Sequence, residues 1–200
     1  MGGKSAVFLR RGVLQLPLYT KIKGENMYCA KKLLVIAIMG ITGCSQSDGE
    51  NGSSAKATLS PIEGSGVYGE VTFTTVKNGT KVIADVDGLT PGQHGFHIHE
   101  HGDCSASDGS SAGGHYNPTQ QKHGCPNSRE RHVGDLGNIS ADKTGHAHYE
   151  RVDKVIRLTG PYSIVGKSVI VHEKADDCKS QPAGDSGKRV ACGAIVGPPQ

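Results

Sequence analysis

Apolar and β-branched residues come in short runs along this chain. Residues 67–76 read VYGEVTFTTV, rich in β-branched and aromatic side chains, and residues 81–87 repeat the alternation of polar and apolar positions. A period of two turns successive side chains to opposite faces, so both runs predict half-buried strands. Asn78-Gly79 between them is a strong hairpin signal. A loop at Leu89-Thr90-Pro91-Gly92 follows, then strands over 94–100, 135–139, 145–151, 167–172 and 189–196, with turns at Asp142-Lys143 and Gly160-Pro161. No long stretch carries a clean helical period. Many short strands without a helix predict an all-β domain, a β-sandwich or a Greek-key barrel.

Composition agrees with that class. The chain has 29 glycines and no tryptophan, which suits a β domain with many turns and long ordered loops better than a helical bundle. Of its 200 residues, about 150 remain once the leader is set aside, enough for one domain with a real core. The segment 101–134 is full of Gly, Ser, Asn and Pro. A loop of that length needs ties, and metal ligands and a disulfide are the evident ones.

The leader changes the picture of charge and location. Residues 27–44 read MYCAKKLLVIAIMGITGC, a basic pair at Lys31-Lys32, an apolar run over 33–41, and the small pair Thr42-Gly43 before Cys44. The run is shorter than the roughly 20 residues that span a bilayer. Ile41-Thr42-Gly43-Cys44 resembles a bacterial lipobox, in which the cysteine is lipidated and becomes the mature N-terminus. An ordinary secretory peptide or an uncleaved anchor is the alternative, and Met27 as the true start would explain the long basic stretch before it. Ser45 after the cysteine resembles an outer-membrane sorting context, which would place the protein in the periplasm or cell envelope as an outer-membrane-anchored lipoprotein. The expected organisation is a leader over 1–43, a flexible polar tether over 44–56 and a single domain over 57–200.

The formal charge of +3 belongs mostly to the leader, which holds seven basic residues against Glu25 alone. Without it, 15 basic residues face 18 acidic ones, a charge near −3. That balance, with no basic run interleaved with aromatics, argues against a nucleic-acid binder.

The chemistry concentrates on histidine. Gly95-Phe96-His97-Ile98-His99-Glu100 places two imidazoles two apart in a predicted strand, on one face, where both can grip one metal ion. His115, His123, His132, Asp135 and His172 follow in contexts that suit a second, adjacent metal. His101, His146 and His148 read as ordinary exposed side chains, although His146-x-His148 repeats the strand-pair spacing.

Six segments, GFHIHE at 95–100, GGHYNP at 113–118, KHGCP at 122–126, ERHVGDLGN at 130–138, VIVHEKADD at 169–177 and KRVACGAI at 188–195, resemble the copper/zinc superoxide dismutase family over nearly all of residues 57–197. The resemblance implies an eight-stranded Greek-key β-barrel or sandwich, immunoglobulin-like, with long metal-binding and active-site loops. It implies one copper ion per subunit on His97, His99, His115 and His172, and one zinc ion on His115, His123, His132 and Asp135, with His115 as the bridge. Three nitrogens and a carboxylate suit redox-inert zinc in a closed tetrahedral set. Imidazoles with an open position suit copper. By the same resemblance His94 hydrogen bonds near the copper ligands, Asp176 orients one histidine of each set, and Arg189 stands at the channel mouth to attract a small anion.

Cys104 and Cys192 match the family's intrasubunit disulfide. If Asp176 bonds His123 as the resemblance implies, Cys125 and Cys178 are held near each other, which predicts a second bond between them, with two free thiols as the alternative. The implied reaction converts superoxide to oxygen and hydrogen peroxide by copper redox cycling, with His115 carrying a proton and Arg189 collecting the anion. In the cell it would protect the envelope from extracytoplasmic superoxide. A copper/zinc-buffering envelope lipoprotein is the rival. Membrane contact is expected only through a lipid anchor at Cys44, and the sequence leaves monomer or homodimer open.

Overall fold

The computed structural model describes residues 52–197, so the leader, Cys44 and most of the tether lie outside the described residues. Eight strands, β1 (Ser54–Pro61), β2 (Tyr68–Val76), β3 (Gly79–Asp87), β4 (Gly92–His99), β5 (Asp135–Ala141), β6 (Ala147–Asp153), β7 (Ser168–His172) and β8 (Arg189–Val196), close into one antiparallel barrel. Their order around the barrel is β1-β2-β3-β6-β5-β4-β7-β8, so the chain crosses over after β3 and after β6, as in a Greek key. The only helical element among the described residues is a 3₁₀ turn at Ser110–Ala112.

Alternation builds the core. Ala55, Ala57 and Leu59 of β1, Val71 and Phe73 of β2, Val82, Ala84 and Val86 of β3, and Phe96 and Ile98 of β4 are all buried in one apolar cluster. Phe96 and Ile98 take the inner face of β4, which leaves His97 and His99 on the other face, where the loops cover them.

Two local differences from the sequence expectations have physical reasons. β1 has no counterpart among the predicted strands, and it takes in Ser54, Ala55 and Lys56, assigned above to the tether. Its polar and apolar residues alternate strictly, but alanine gives that period little contrast, and pairing with both β2 and β8 makes it plain. In the first hairpin Val76 pairs with Gly79, so the two turn residues are Lys77 and Asn78 and the glycine opens β3. A side chain on Gly79 would meet the Asp153 carbonyl, so close backbone approach fixes glycine there.

Two bulges shape the end of the barrel that carries the histidines. Between Gly95↔Asn138 and His97↔Asp135, β5 spends one residue more than β4, and Gly137 at φ 75° absorbs it. Between Val171↔Ala191 and His172↔Arg189, β8 does the same against β7. Bulges re-aim side chains next to active sites. Here they set Asp135 opposite His97 and Arg189 opposite His172.

Both disulfides form as expected, Cys104 to Cys192 with Cα atoms 5.8 Å apart and Cys125 to Cys178 at 4.9 Å. They close separations of 88 and 53 residues, each worth roughly 4–5 kcal/mol in loop entropy. The first ties the 100–134 loop to β8, the second ties that loop to the 173–188 loop. Backbone bonds help: Ile98 N–H donates to Gly134 O at 2.9 Å and Tyr116 N–H to Ile98 O at 2.8 Å. A buried ion pair, Arg131 on Asp153 at 2.6 Å, adds a further hold, since Arg131 also donates to Asp135 O at 2.9 Å.

Candidate metal centre

Strand and loop together bring seven side chains into two adjoining groups. His97, His99, His115 and His172 form one, and His115, His123, His132 and Asp135 form the other, each with potential ligand atoms within 4.8 Å of one another. His97 and His99 come from β4, His172 from the end of β7, Asp135 from the start of β5, and the remaining three from the 100–134 loop. His115 belongs to both groups. Its ring lies 4.0 Å from that of His97 and 5.3 Å from that of His123, centre to centre.

In the second group three nitrogens converge on one oxygen. Nδ1 of His115, His123 and His132 lie 2.8, 3.1 and 3.2 Å from Asp135 Oδ1. The other carboxylate oxygen of Asp135 accepts from His132 N–H at 2.8 Å and Gly124 N–H at 3.1 Å, which fixes its plane.

The rings are held from behind by their other nitrogens. Asp176 bridges the groups, with Oδ2 2.8 Å from His97 Nε2 and Oδ1 3.0 Å from His123 Nε2. His99 Nδ1 lies 2.9 Å from Gly113 O, and His172 Nδ1 lies 3.3 Å from Gly187 O. Those partners aim the opposite nitrogens inward. His97 Nδ1, His99 Nε2, His115 Nε2, His172 Nε2, His123 Nδ1 and His132 Nδ1 are buried without a hydrogen-bond partner. Buried polar atoms in proteins are as a rule paired, so six lone pairs converging in one place mark seats for cations. The donor set fits two metals, one among imidazoles alone and one among imidazoles and a carboxylate.

Electrostatics divide the groups. Burial pushes His97 down to about 4, and it holds His99 and His172 well below the usual histidine range, their charged neighbours adding to the effect. His115 is also lowered by burial, against the pull of Asp135. At His123 burial is outweighed by the neighbouring carboxylates of Asp135 and Asp176, which raise it to about 9. Asp135 and Asp176 stay well below the carboxylate range, since their histidine partners overcome the burial that opposes ionisation. The first group therefore stays unprotonated with its ring nitrogens available as donors, and in the second His123 is held in its charged form by two carboxylates.

A cleft lined by His99, His115, His172, Ala183, Gly187 and Arg189 opens onto the all-imidazole group. Arg189 is tethered there by two carbonyls, donating from one guanidinium nitrogen to Gly109 O and from the other to Gly113 O at 2.6 Å. Gly113 O thus holds both Arg189 and His99.

Every histidine and carboxylate singled out from the sequence for this site is found in it. His94 sits beneath, its ring nitrogens 2.8 Å from the carbonyl oxygens of His172 and Thr90. His101, His146 and His148 are exposed. Sequence reasoning missed the supports. Asn138 exchanges two hydrogen bonds with the backbone of Asp176, at 2.9 and 2.7 Å. Gln181 does the same for His123, at 2.8 and 3.0 Å. At Gly184 a side chain would collide with Asp176 Oδ1. Asn138 closes the segment at 130–138 without a role read for it, and the only sequence signal of Gln181 and Gly184 was nearness to the segment at 169–177.

Comparison with known proteins agrees with the geometry. The family model for copper/zinc superoxide dismutase matches residues 67–195. An extracellular superoxide dismutase [Cu-Zn] of Brugia pahangi is 43% identical over 139 residues, 65% of this chain and 69% of that protein. Its counterpart in Caenorhabditis elegans is 42% identical over 147 residues, 70% of this chain and 65% of that protein. A superoxide dismutase [Cu-Zn] of Paramecium bursaria Chlorella virus 1 is 39% identical over 173 residues, 82% and 90% of the two chains. Among solved structures, one described as a crystal structure analysis of the clock protein EA4 superposes with a TM-score of 0.66 at 43% identity, covering 72% of this chain and 94% of that one.

Proposed function

This chain belongs to the copper/zinc superoxide dismutase family, an oxidoreductase that takes copper and zinc and acts on superoxide, and from that premise we propose how its residues divide the work. His97, His99, His115 and His172 hold copper, and His115, His123, His132 and Asp135 hold zinc. The observation that carries this assignment is the set of six partnerless ring nitrogens, four on one side of His115 and two on the other, counting His115 Nε2 with the first. When bound, copper supplies one-electron exchange with superoxide in both directions and zinc supplies fixed positive charge without redox change.

The protein's own groups then manage anion, proton and geometry. Arg189, fixed by its two carbonyl bonds, draws superoxide into the cleft and orients it beside His99, His115 and His172. Two superoxide ions and two protons give oxygen and hydrogen peroxide. His115 Nε2 has one lone pair, so it would hold and deliver a proton only while it does not hold copper, and Nδ1 remains committed to the Asp135 side. Asp176 and His94 position the rings that bracket it.

The domain works outside the cytosol. Two disulfides support this, because such bonds persist in oxidising compartments, and three relatives are named extracellular. Residues 1–43 act as an export leader, 44–56 as a tether shortened by the start of β1, and Cys44 as a lipidated anchor to the outer membrane, so that the enzyme protects the cell envelope. The deciding experiment measures superoxide dismutation by protein loaded with copper and zinc, with both metals quantified. Loaded protein without turnover would favour metal buffering.

A further inference from the structure

A second group of imidazoles stands on the outer surface of the barrel. Antiparallel pairing of β3 with β6 sets Asp85 opposite His148 and Val86 opposite Ala147, and just past that last pair the side chains of Asp87 and His146 meet. Val86 and Ala147 are buried, so the flanking positions Asp85, Asp87, His146 and His148 all face outward. His146 Nδ1 lies 2.9 Å from Asp87 Oδ1, and His148 Nδ1 lies 2.6 Å from Asp85 Oδ1. All four side chains are about half exposed, between 46% and 56%.

This ladder has the composition of a metal site held by its outer partners. Each carboxylate takes one ring nitrogen, leaving Nε2 of each histidine as its free donor on the solvent side, the carboxylate–histidine arrangement that orients metal-binding imidazoles. His148 stands on β6 and His146 on the residue just before it, and both turn a ring nitrogen to a carboxylate of β3, an i, i+2 placement in which two imidazoles can share an ion. The surroundings are acidic: register places Glu70 of β2 beside Asp85, and Glu70 has its own cation in Lys56. Nothing in the proposed reaction uses these residues.

We propose that His146 and His148 form a surface site for a borderline divalent cation, copper(II), nickel(II) or zinc(II), bound through the two Nε2 atoms and water, with Asp87 and Asp85 as positioning residues. Imidazole donors select these ions over magnesium and calcium, which want oxygen. The remaining exposed histidine, His101, has no such partner strand and serves as the control.

The test uses protein already loaded with copper and zinc, titrated with nickel(II) by calorimetry while resident metal content is monitored. One nickel ion per chain is expected beyond the two resident metals. H146Q/H148Q should abolish that uptake, H101Q should leave it intact, and D85N/D87N should weaken it by about 10-fold or more. Magnesium should not compete. The proposal is overturned if wild-type protein takes up no nickel, if the double histidine variant binds like wild type, or if magnesium displaces the ion, which would make the carboxylates its ligands.

Discussion

His97, His99 and His172 stand on barrel strands, whereas His115, His123 and His132 stand on a loop, and the two halves of the centre differ in more than address. The strand-built half contains imidazoles alone, keeps them neutral by burial, and opens to a cleft under Arg189. The loop-built half surrounds one carboxylate, attracts positive charge, and is fastened by a disulfide and by Asp176. Strands hold donors in place without help from the ion, which suits a metal that must change charge. The loop is fixed by its disulfides and hydrogen bonds around one carboxylate, which suits a metal that never changes charge.

The largest test of this contrast removes a ligand from each half. Asp135→Asn should abolish stoichiometric zinc and leave the protein about 3–5 kcal/mol less stable than wild type, because the buried histidines around it lose their countercharge. His172→Asn should remove copper while leaving zinc and the thermal midpoint close to wild type. Loss of both metals in either variant would break the distinction, and metal analysis with calorimetry decides it.

Acidity separates the halves next. In metal-free protein His97 is depressed to about 4, so its contribution is in place above the unfolded value near 6.5 and is lost as pH falls toward 4. The loss is on the order of 3 kcal/mol for that group. His123, raised to about 9, has the opposite sign: its contribution is full below the unfolded value and disappears as pH rises through about 9. Urea melts of the metal-free protein between pH 4 and 10 should therefore decline at both ends. His97→Gln should flatten the acid limb and His123→Gln the alkaline one.

Asp176 touches both halves, so Asp176→Asn should weaken both metals, by about 10–100-fold each. An effect on zinc alone would show that the bridge serves only the loop. The smallest expected change is at the rim. Arg189→Ala should lower turnover by about 10-fold while sparing metal content, with a larger loss at low salt than at high. Stopped-flow superoxide decay at two ionic strengths reads this, and unchanged activity would remove Arg189 from the proposed mechanism.

Legibility in the sequence followed the range of the forces involved. Strands with β-branched residues at period two, such as residues 67–76, declare themselves because each is a local preference. β1 did not, since Ala55 and Ala57 give little apolar contrast until β8 closes against them. The residues that converge at the centre were legible through their motifs, and the second disulfide through the expected contact of Asp176 with His123. Asn138 and Gln181 were not, because an amide paired with a distant backbone has no spacing rule to betray it.

By itself the sequence determined which residues are chemically fit for the centre, and that the fold is all-β, since donor type and strand period are properties of short segments. Tertiary structure alone decided the aim of those residues. Two bulges set Asp135 across from His97 and Arg189 across from His172, and Gly113 O couples Arg189 to His99. It also turned His146-x-His148 from a spacing into a ladder with Asp85 and Asp87. The reason is register: a one-residue shift between strands far apart in sequence redirects side chains, and only the closed barrel fixes it.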